Sequence, residues 1–282
     1  MLLLSDTLLS KLKKYDIKYC HWKSNMNLST ELNGGELDLF VENESKNDFE
    51  SLIGELGFIK AFDSLQSHVD NVHHFYGMDR GSGKILHLHV FYDILTGESI
   101  SKNLNLKLDD LLLKDLSYKS KVVIPSAKVE LIIFLIRIFS KHQSIIEYLL
   151  LLRDYGSIKK ELLHIEQRMG EDKNLDKILK KYFNGLPEKL IKKSIQSIKS
   201  EENFFSKYLI AKKINKYIKK YARYNRVMAF YLRNVLVLKY VLQKLVIRRK
   251  TKVLSKDGFV CAIAGPDATG KSTMVKNLNK TL

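Results

Sequence analysis

Eight consecutive residues late in the chain, Gly265-Pro266-Asp267-Ala268-Thr269-Gly270-Lys271-Ser272, fit the phosphate-binding pattern G-x-x-x-x-G-K-[ST]. Gly265 and Gly270 let a backbone approach phosphate with no Cβ in the way. Lys271 can reach the β- and γ-oxygens, and the Ser272 hydroxyl can join a Mg²⁺ shell. A second set lies far upstream: Glu36 and Asp38, with the pair Lys23-Ser24 before them. Carboxylates two apart on a strand leave the same face, where they can hold a divalent ion against a triphosphate, with Lys23 and Ser24 near the phosphates. His73, His74, His87 and His89 form a third group. The favoured reading is a polar sheet face whose imidazoles bond to neighbours. In the other, His73 meets His87 or His89 across paired strands as a metal site or general base. His21 and Trp22 read as packing residues.

These residues need elements to hold them. Residues 259–264 are an apolar run that reads as a buried parallel strand. Beyond the glycine loop, Met274, Val275 and Leu278 recur at helical spacing. Strand, loop and helix in that order turn backbone N–H groups toward a phosphate. Around the carboxylates, residues 17–22 and 37–41 read as strands. Residues 2–14 read as an amphipathic helix with Leu4, Leu8, Leu9 and Leu12 on one face, and 47–56 as a helix ended by Gly57. Residues 69–77 and 84–94 look like two strands joined by a turn at 79–83. Alternation along the latter puts His87, His89, Phe91 and Asp93 on one face, making Asp93 the candidate third carboxylate.

The net charge of +17 on 282 residues is concentrated. Residues 156–255 hold 26 Lys/Arg against 8 Asp/Glu, and 203–256 hold no acid at all. Residues 126–252 read as helical throughout. The run from Leu131 to Ile136 is apolar on nearly every side and is expected to be buried, with Gly156, Gly170 and Gly185 as helix stops. Taken as one helix, 206–249 aligns Lys212, Lys216, Lys219, Arg223, Arg226, Arg233, Lys244 and Arg248 in a stripe. A solvated face, an anionic membrane surface and nucleic acid are the three partners such a stripe allows. Cys20 and Cys261 read as buried thiols in a reducing cytoplasm. No signal-peptide core and no uninterrupted apolar stretch of membrane-spanning length stand out, so a cytoplasmic chain without a transmembrane segment is expected.

The loop with its flank, through Thr273, resembles the thymidylate kinase-like branch of P-loop kinases. That likeness implies that Asp267 touches the sugar of an acceptor nucleotide. Ala268 stands where some members carry a catalytic Arg. Tyr19-Cys20-His21-Trp22-Lys23-Ser24-Asn25, followed by Glu36-Leu37-Asp38-Leu39, resembles the nucleotidyltransferase-like domain fused to thymidylate kinase-like domains in some bacterial proteins. Glu36 takes a position where Asp is usual. The likenesses imply an α+β, nucleotidyltransferase-like domain over 1–124 and, over 256–282, the first β-loop-α of a P-loop α/β kinase fold; the charge surplus and helical pattern mark an all-α basic domain over 125–255 between them. The likenesses also imply ATP and Mg²⁺ as cofactors and a nucleotide as partner. Gly265, Asp267, Gly270, Lys271, Ser272, Thr273, Lys23 and Ser24 would bind the cofactor. Ser272, Glu36 and Asp38 would hold metal, and Glu36, Asp38 and Lys271 would serve catalysis.

The expected function is phosphoryl transfer from ATP to a nucleotide or small phosphate acceptor in an intact parent protein. The later-strand acid and the lid that this transfer needs would follow residue 282, so the chain alone is expected to be inactive as a kinase. The alternatives are metal-dependent nucleotidyl transfer through Glu36 and Asp38, and a non-enzymatic binding module using the basic helix.

Overall fold

A computed structural model describes residues 1–63, 69, 71–141, 145–170, 174–200, 203–242, 245, 252–255 and 270–281. It is a mixed α+β structure built on a mixed sheet. Helix α1 (Leu3–Lys14) buries Leu4, Leu8, Leu9 and Leu12 and ends in Lys11, Lys13 and Lys14, which suit the negative pole of its dipole. Strand β1 (Tyr19–His21), the short helix α2 (Leu28–Glu31), β2 (Glu36–Val41) and α3 (Lys46–Glu55) follow. Next come β3 (Ile59–Asp63), β4 (Val72–Met78) and β5 (Ile85–Phe91). Two small hairpins complete this half: β6 (Ile94–Thr96) with β7 (Leu104–Leu106), and, after α4 (Asp109–Lys114), β8 (Leu116–Lys119) with β9 (Val122–Pro125).

The helical half holds α5 (Ala127–Lys141), α6 (Ile145–Arg153), α7 (Tyr155–Met169), α8 (Asp176–Tyr182), α9 (Glu188–Lys199), α10 (Phe204–Ile218) and α11 (Arg226–Leu242). Strand β10 (Lys252–Leu254) and α12 (Lys271–Thr281) end the described chain. The main sheet runs β1-β2-β5-β4-β3-β10, with β2 and β5 parallel and the other neighbours antiparallel.

Each face of that sheet is covered differently. Leu37, Leu39, Leu88 and Val90 pack with Leu8 and Leu12 of α1 and with Phe49 of α3. On the opposite face Cys20, Trp22, Phe40 and Phe91 join a core that runs on through Leu131, Ile132 and Leu135 of α5 into the helical half. The expected burial of α5 is observed: its residues 129–136 are all nearly inaccessible to solvent. Sheet and helices therefore share one apolar core, and α5 forms the wall between them.

Two expectations are corrected. Gly156 does not stop a helix but sits in the first turn of α7, the break from α6 falling at Asp154. The single helix over 206–249 is interrupted. After α10 comes a 3₁₀ turn (Lys219–Tyr221), and Ala222 is extended and bridged to Leu104 of β7. The Arg223 N–H donates to the Asn103 carbonyl at 2.9 Å, and Asn225 caps α11 by accepting from the Met228 N–H at 2.8 Å. Backbone groups that a continuous helix would consume are spent on the β6–β7 hairpin, so the basic stripe is split in two. Lys244 and Arg248 lie outside the described residues, as do Cys261 and the expected strand at 259–264. No described helix is long and apolar enough to cross a membrane.

Candidate functional site

The turn into β2 fixes where its carboxylates stand. Gly34 takes a left-handed φ of +107°, and a Cβ on Gly35 would come within 2.8 Å of the Glu31 Cα, so this reversal needs both glycines. The Gly35 carbonyl then accepts from the His87 N–H at 3.0 Å and starts the parallel ladder. Register pairs Glu36 with His87, Asp38 with His89 and Phe40 with Phe91. Across β5, Tyr76 lies opposite His87, His74 opposite His89 and Val72 opposite Phe91. Because side chains alternate, one face presents three successive rows: Glu36–His87–Tyr76, Asp38–His89–His74 and Phe40–Phe91–Val72.

The first two rows form a connected polar cluster. His89 Nδ1 lies 2.8 Å from Glu36 Oε1 and 3.0 Å from Asp38 Oδ1, while His87 Nδ1 is 3.4 Å from Glu36 Oε2. His74 Nδ1 and His87 Nε2 are 2.9 Å apart. Lys23, just past β1, places Nζ 2.7 Å from Asp38 Oδ1. The rings stack in a column, Tyr76 on His87 at 4.4 Å and His74 on His89 at 4.3 Å, with His89 tilted against Phe91 at 4.3 Å. Hydrogen bonds from His87 and His89 hold the Glu36 carboxyl well below the usual carboxylate range. Burial pushes Asp38 upward, but the charge of Lys23 and the bond from His89 outweigh it and leave Asp38 lowered to about 2. Both acids are thus ionised at neutral pH. Glu36, Asp38 and His89 each offer a ligand atom, all within 4.8 Å of one another.

The expected convergence of Lys23 with Glu36 and Asp38 is present. Ser24 adopts a left-handed backbone, and its N–H donates to Glu161 Oε1 at 3.2 Å. His21 and Trp22 are packing residues as expected. His21 is fully buried between Asn25 and Glu31, and Trp22 lies edge-on to Phe91.

The imidazoles bond to neighbours, as in the favoured reading of this face, but the pairing behind the alternative and the candidate third carboxylate both differ. His74, not His73, meets His87 and His89; His73 points to the other face, 3.0 Å from Glu50, where burial and Lys60 hold its pKa down. Asp93 is not the third carboxylate. Strand β5 ends at Phe91, and Asp93 is held by Lys107 at 2.8 Å and Asn71 at 2.5 Å. The third position of the cluster is taken by His89.

At the other motif, Gly265 and Asp267 lie outside the described residues. Gly270 has a φ of +77°, and Lys271, Ser272 and Thr273 form the first turn of α12, the latter two exposed.

Sequence reasoning passed over Arg137 and Glu161, which the helical half brings to the same end of the sheet. Arg137 lies over the Trp22 ring at 5.6 Å and 3.7 Å from Glu161, whose pKa burial raises. Nothing in the local pattern of α5 or α7 distinguishes them from ordinary helix-face charges. A cavity of about 580 Å³ opens elsewhere, between α1 and the β8–β9 hairpin, lined by Leu9, Leu12, Leu116 and Val123. Its lining includes none of Lys23, Glu36, Asp38 and His89. Comparison with known protein families, characterised proteins and solved structures returns no match.

Proposed function

We propose that the chain is a nucleotide-binding protein of the transferase type, handling the phosphates of a nucleoside triphosphate with a divalent cation at Glu36 and Asp38. The observation that carries this reading is the placement of Lys23 beside Asp38, 2.7 Å apart, at the open end of the β2–β5 pair. Two ionised carboxylates on one face can hold the cation, and an ammonium at the end of the neighbouring strand can pass from Asp38 to a phosphate as the cation takes over the carboxylate. This is the arrangement that the resemblance to nucleotidyltransferase-like domains leads one to expect.

The loop at 265–272 supports a second nucleotide site of the thymidylate kinase-like kind in an intact P-loop domain. The left-handed Gly270 and a helix beginning at Lys271 agree with such a loop. Titration of ATP with Mg²⁺ or Mn²⁺ into the chain, monitored by calorimetry, separates the two. Loss of binding in Asp38→Asn with retention in Lys271→Ala is expected for the β2 site. The reverse would move nucleotide binding to the C-terminal loop, and retention in both would remove it from either motif.

A non-enzymatic reading is favoured by one observation on α11. Val227, Phe230, Tyr231 and Leu238 share one face of this helix and are exposed, while Leu236 on the opposite side is buried. An outward apolar face flanked by an acid-free basic segment suits an anionic membrane surface better than nucleic acid. Flotation with anionic vesicles, lost in Phe230→Glu, tests it.

A further inference from the structure

The geometry points to a transition-metal dication at Glu36, Asp38 and His89, of the Mn²⁺ or Zn²⁺ class, with His89 Nδ1 as a nitrogen ligand. This inference rests on the reading that the β2 face holds a divalent cation, and it names which kind.

Three observations carry it. First, the spacing fits a coordination shell. Metal–ligand bonds of about 2.1 Å at right angles put neighbouring ligand atoms about 3.0 Å apart. His89 Nδ1 stands 2.8 Å from the Glu36 oxygen and 3.0 Å from the Asp38 oxygen. Seating a cation among these atoms therefore asks for little movement of the backbone.

Second, the ligand atoms are withdrawn from solvent and turned toward one another: Asp38 Oδ1 is buried, with Lys23 Nζ at 2.7 Å and His89 Nδ1 at 3.0 Å, and His89 itself is buried. The ring's orientation is set at Nδ1 by the two carboxylates, with His74 and Phe91 against its faces.

Third, the surroundings resemble the outer shell of a metal site. Glu36 keeps a second oxygen on His87, which is itself bonded to His74, so the ligating carboxylate is oriented by a chain of imidazoles. The Glu36 side chain is 49 % exposed, which leaves coordination positions open to water or a phosphate oxygen. A mixed nitrogen–carboxylate set favours first-row transition dications, whereas Mg²⁺ favours oxygen alone and retains its waters.

The test uses the full chain with Mn²⁺ as the probe, followed by electron paramagnetic resonance, with Mg²⁺ and Zn²⁺ as competitors. One Mn²⁺ should bind per chain and show hyperfine coupling to nitrogen. Zn²⁺ should displace it, whereas Mg²⁺ at equal concentration should not. His89→Gln should abolish the nitrogen coupling and weaken Mn²⁺ by at least about tenfold. Glu36→Gln, a near-isosteric change at a half-exposed position, should weaken Mn²⁺ while keeping the coupling. Equal competition by Mg²⁺, nitrogen coupling that survives in His89→Gln, or no bound Mn²⁺ would each overturn the assignment. If Mn²⁺ binds through nitrogen but ATP does not join it, the metal assignment stands and the nucleotide reading falls. If Mg²⁺ and ATP bind together at Glu36 and Asp38 and no nitrogen couples to Mn²⁺, the reverse holds.

Discussion

Asn103 and Tyr224 are joined by two hydrogen bonds of opposite sense: the Tyr224 N–H donates to Asn103 Oδ1 at 2.9 Å, and Asn103 Nδ2 donates to the Tyr224 carbonyl at 3.3 Å. One side chain thereby imitates a strand neighbour and holds the chain extended between α10 and α11. Asn103→Ala leaves both backbone groups of Tyr224 without these partners, at a cost of about 1–3 kcal/mol. Urea unfolding should show a lower midpoint. Asn225→Ala, which removes the cap of α11, should cost about 1 kcal/mol.

Acid should act on the carboxylate cluster in a defined direction. Asp38 is lowered to about 2 from an ordinary 3.8, and Glu36 is lowered as well, so both bind protons less readily in the folded chain than in the unfolded one. A lowered carboxylate contributes stability that is fully present above the unfolded value and is lost as pH falls through the folded one. For Asp38 the contribution is on the order of 2 kcal/mol. Asp38→Asn should therefore be less stable than wild type at pH 7, with the difference closing between about pH 4 and pH 2. A stability gap that stays constant over that range would refute the assignment of the acid sensitivity to Asp38.

Gly35→Ala should damage the site without touching a ligand. Its new Cβ meets the Glu31 backbone at 2.8 Å, so either α2 or the start of β2 must shift. Overpacking of this kind costs about 1–3 kcal/mol. Mn²⁺ affinity should fall with it, because Glu36 is the next residue. Unchanged affinity would mean that the turn does not set the carboxylate.

Glu130 of α5 is 2 % exposed and ion-paired to Arg168 of α7, which also donates to the Pro125 carbonyl at 3.1 Å. Arg168→Met leaves a buried carboxylate without this cation, a loss of about 3–5 kcal/mol. The double variant with Glu130→Gln should regain most of that stability. Thermal melts of the two variants give the comparison directly.

The sequence was most readable where one strand or helix carries its own pattern. The heptad-like leucines of α1, the alternation of β2, the turn at 79–83 between β4 and β5, and the shared face of Glu36 and Asp38 are all local. Adjacent His73 and His74 were not separable, because one of them must face each way and the choice depends on β4 pairing His74 with His89 of β5. The break after α10 was invisible for a similar reason, since Asn103 acts from over a hundred residues away. Strands β3, β6, β7, β8 and β9 are too short or too irregular to announce themselves, and several take their pairing from a hairpin partner.

The three rows across β2, β5 and β4 pass from half-exposed Glu36 to fully buried Phe40 within four residues, a distance of about 13 Å. The dielectric response therefore drops along the strand axis, from water at one end to buried aromatic side chains at the other. A charge arriving at the Asp38 row has solvent on one side only, and its field is screened less toward the buried row than toward water. The sheet thus works as a one-sided insulator, making any ion seated there act more strongly on a ligand beside it than it would on a fully solvated surface.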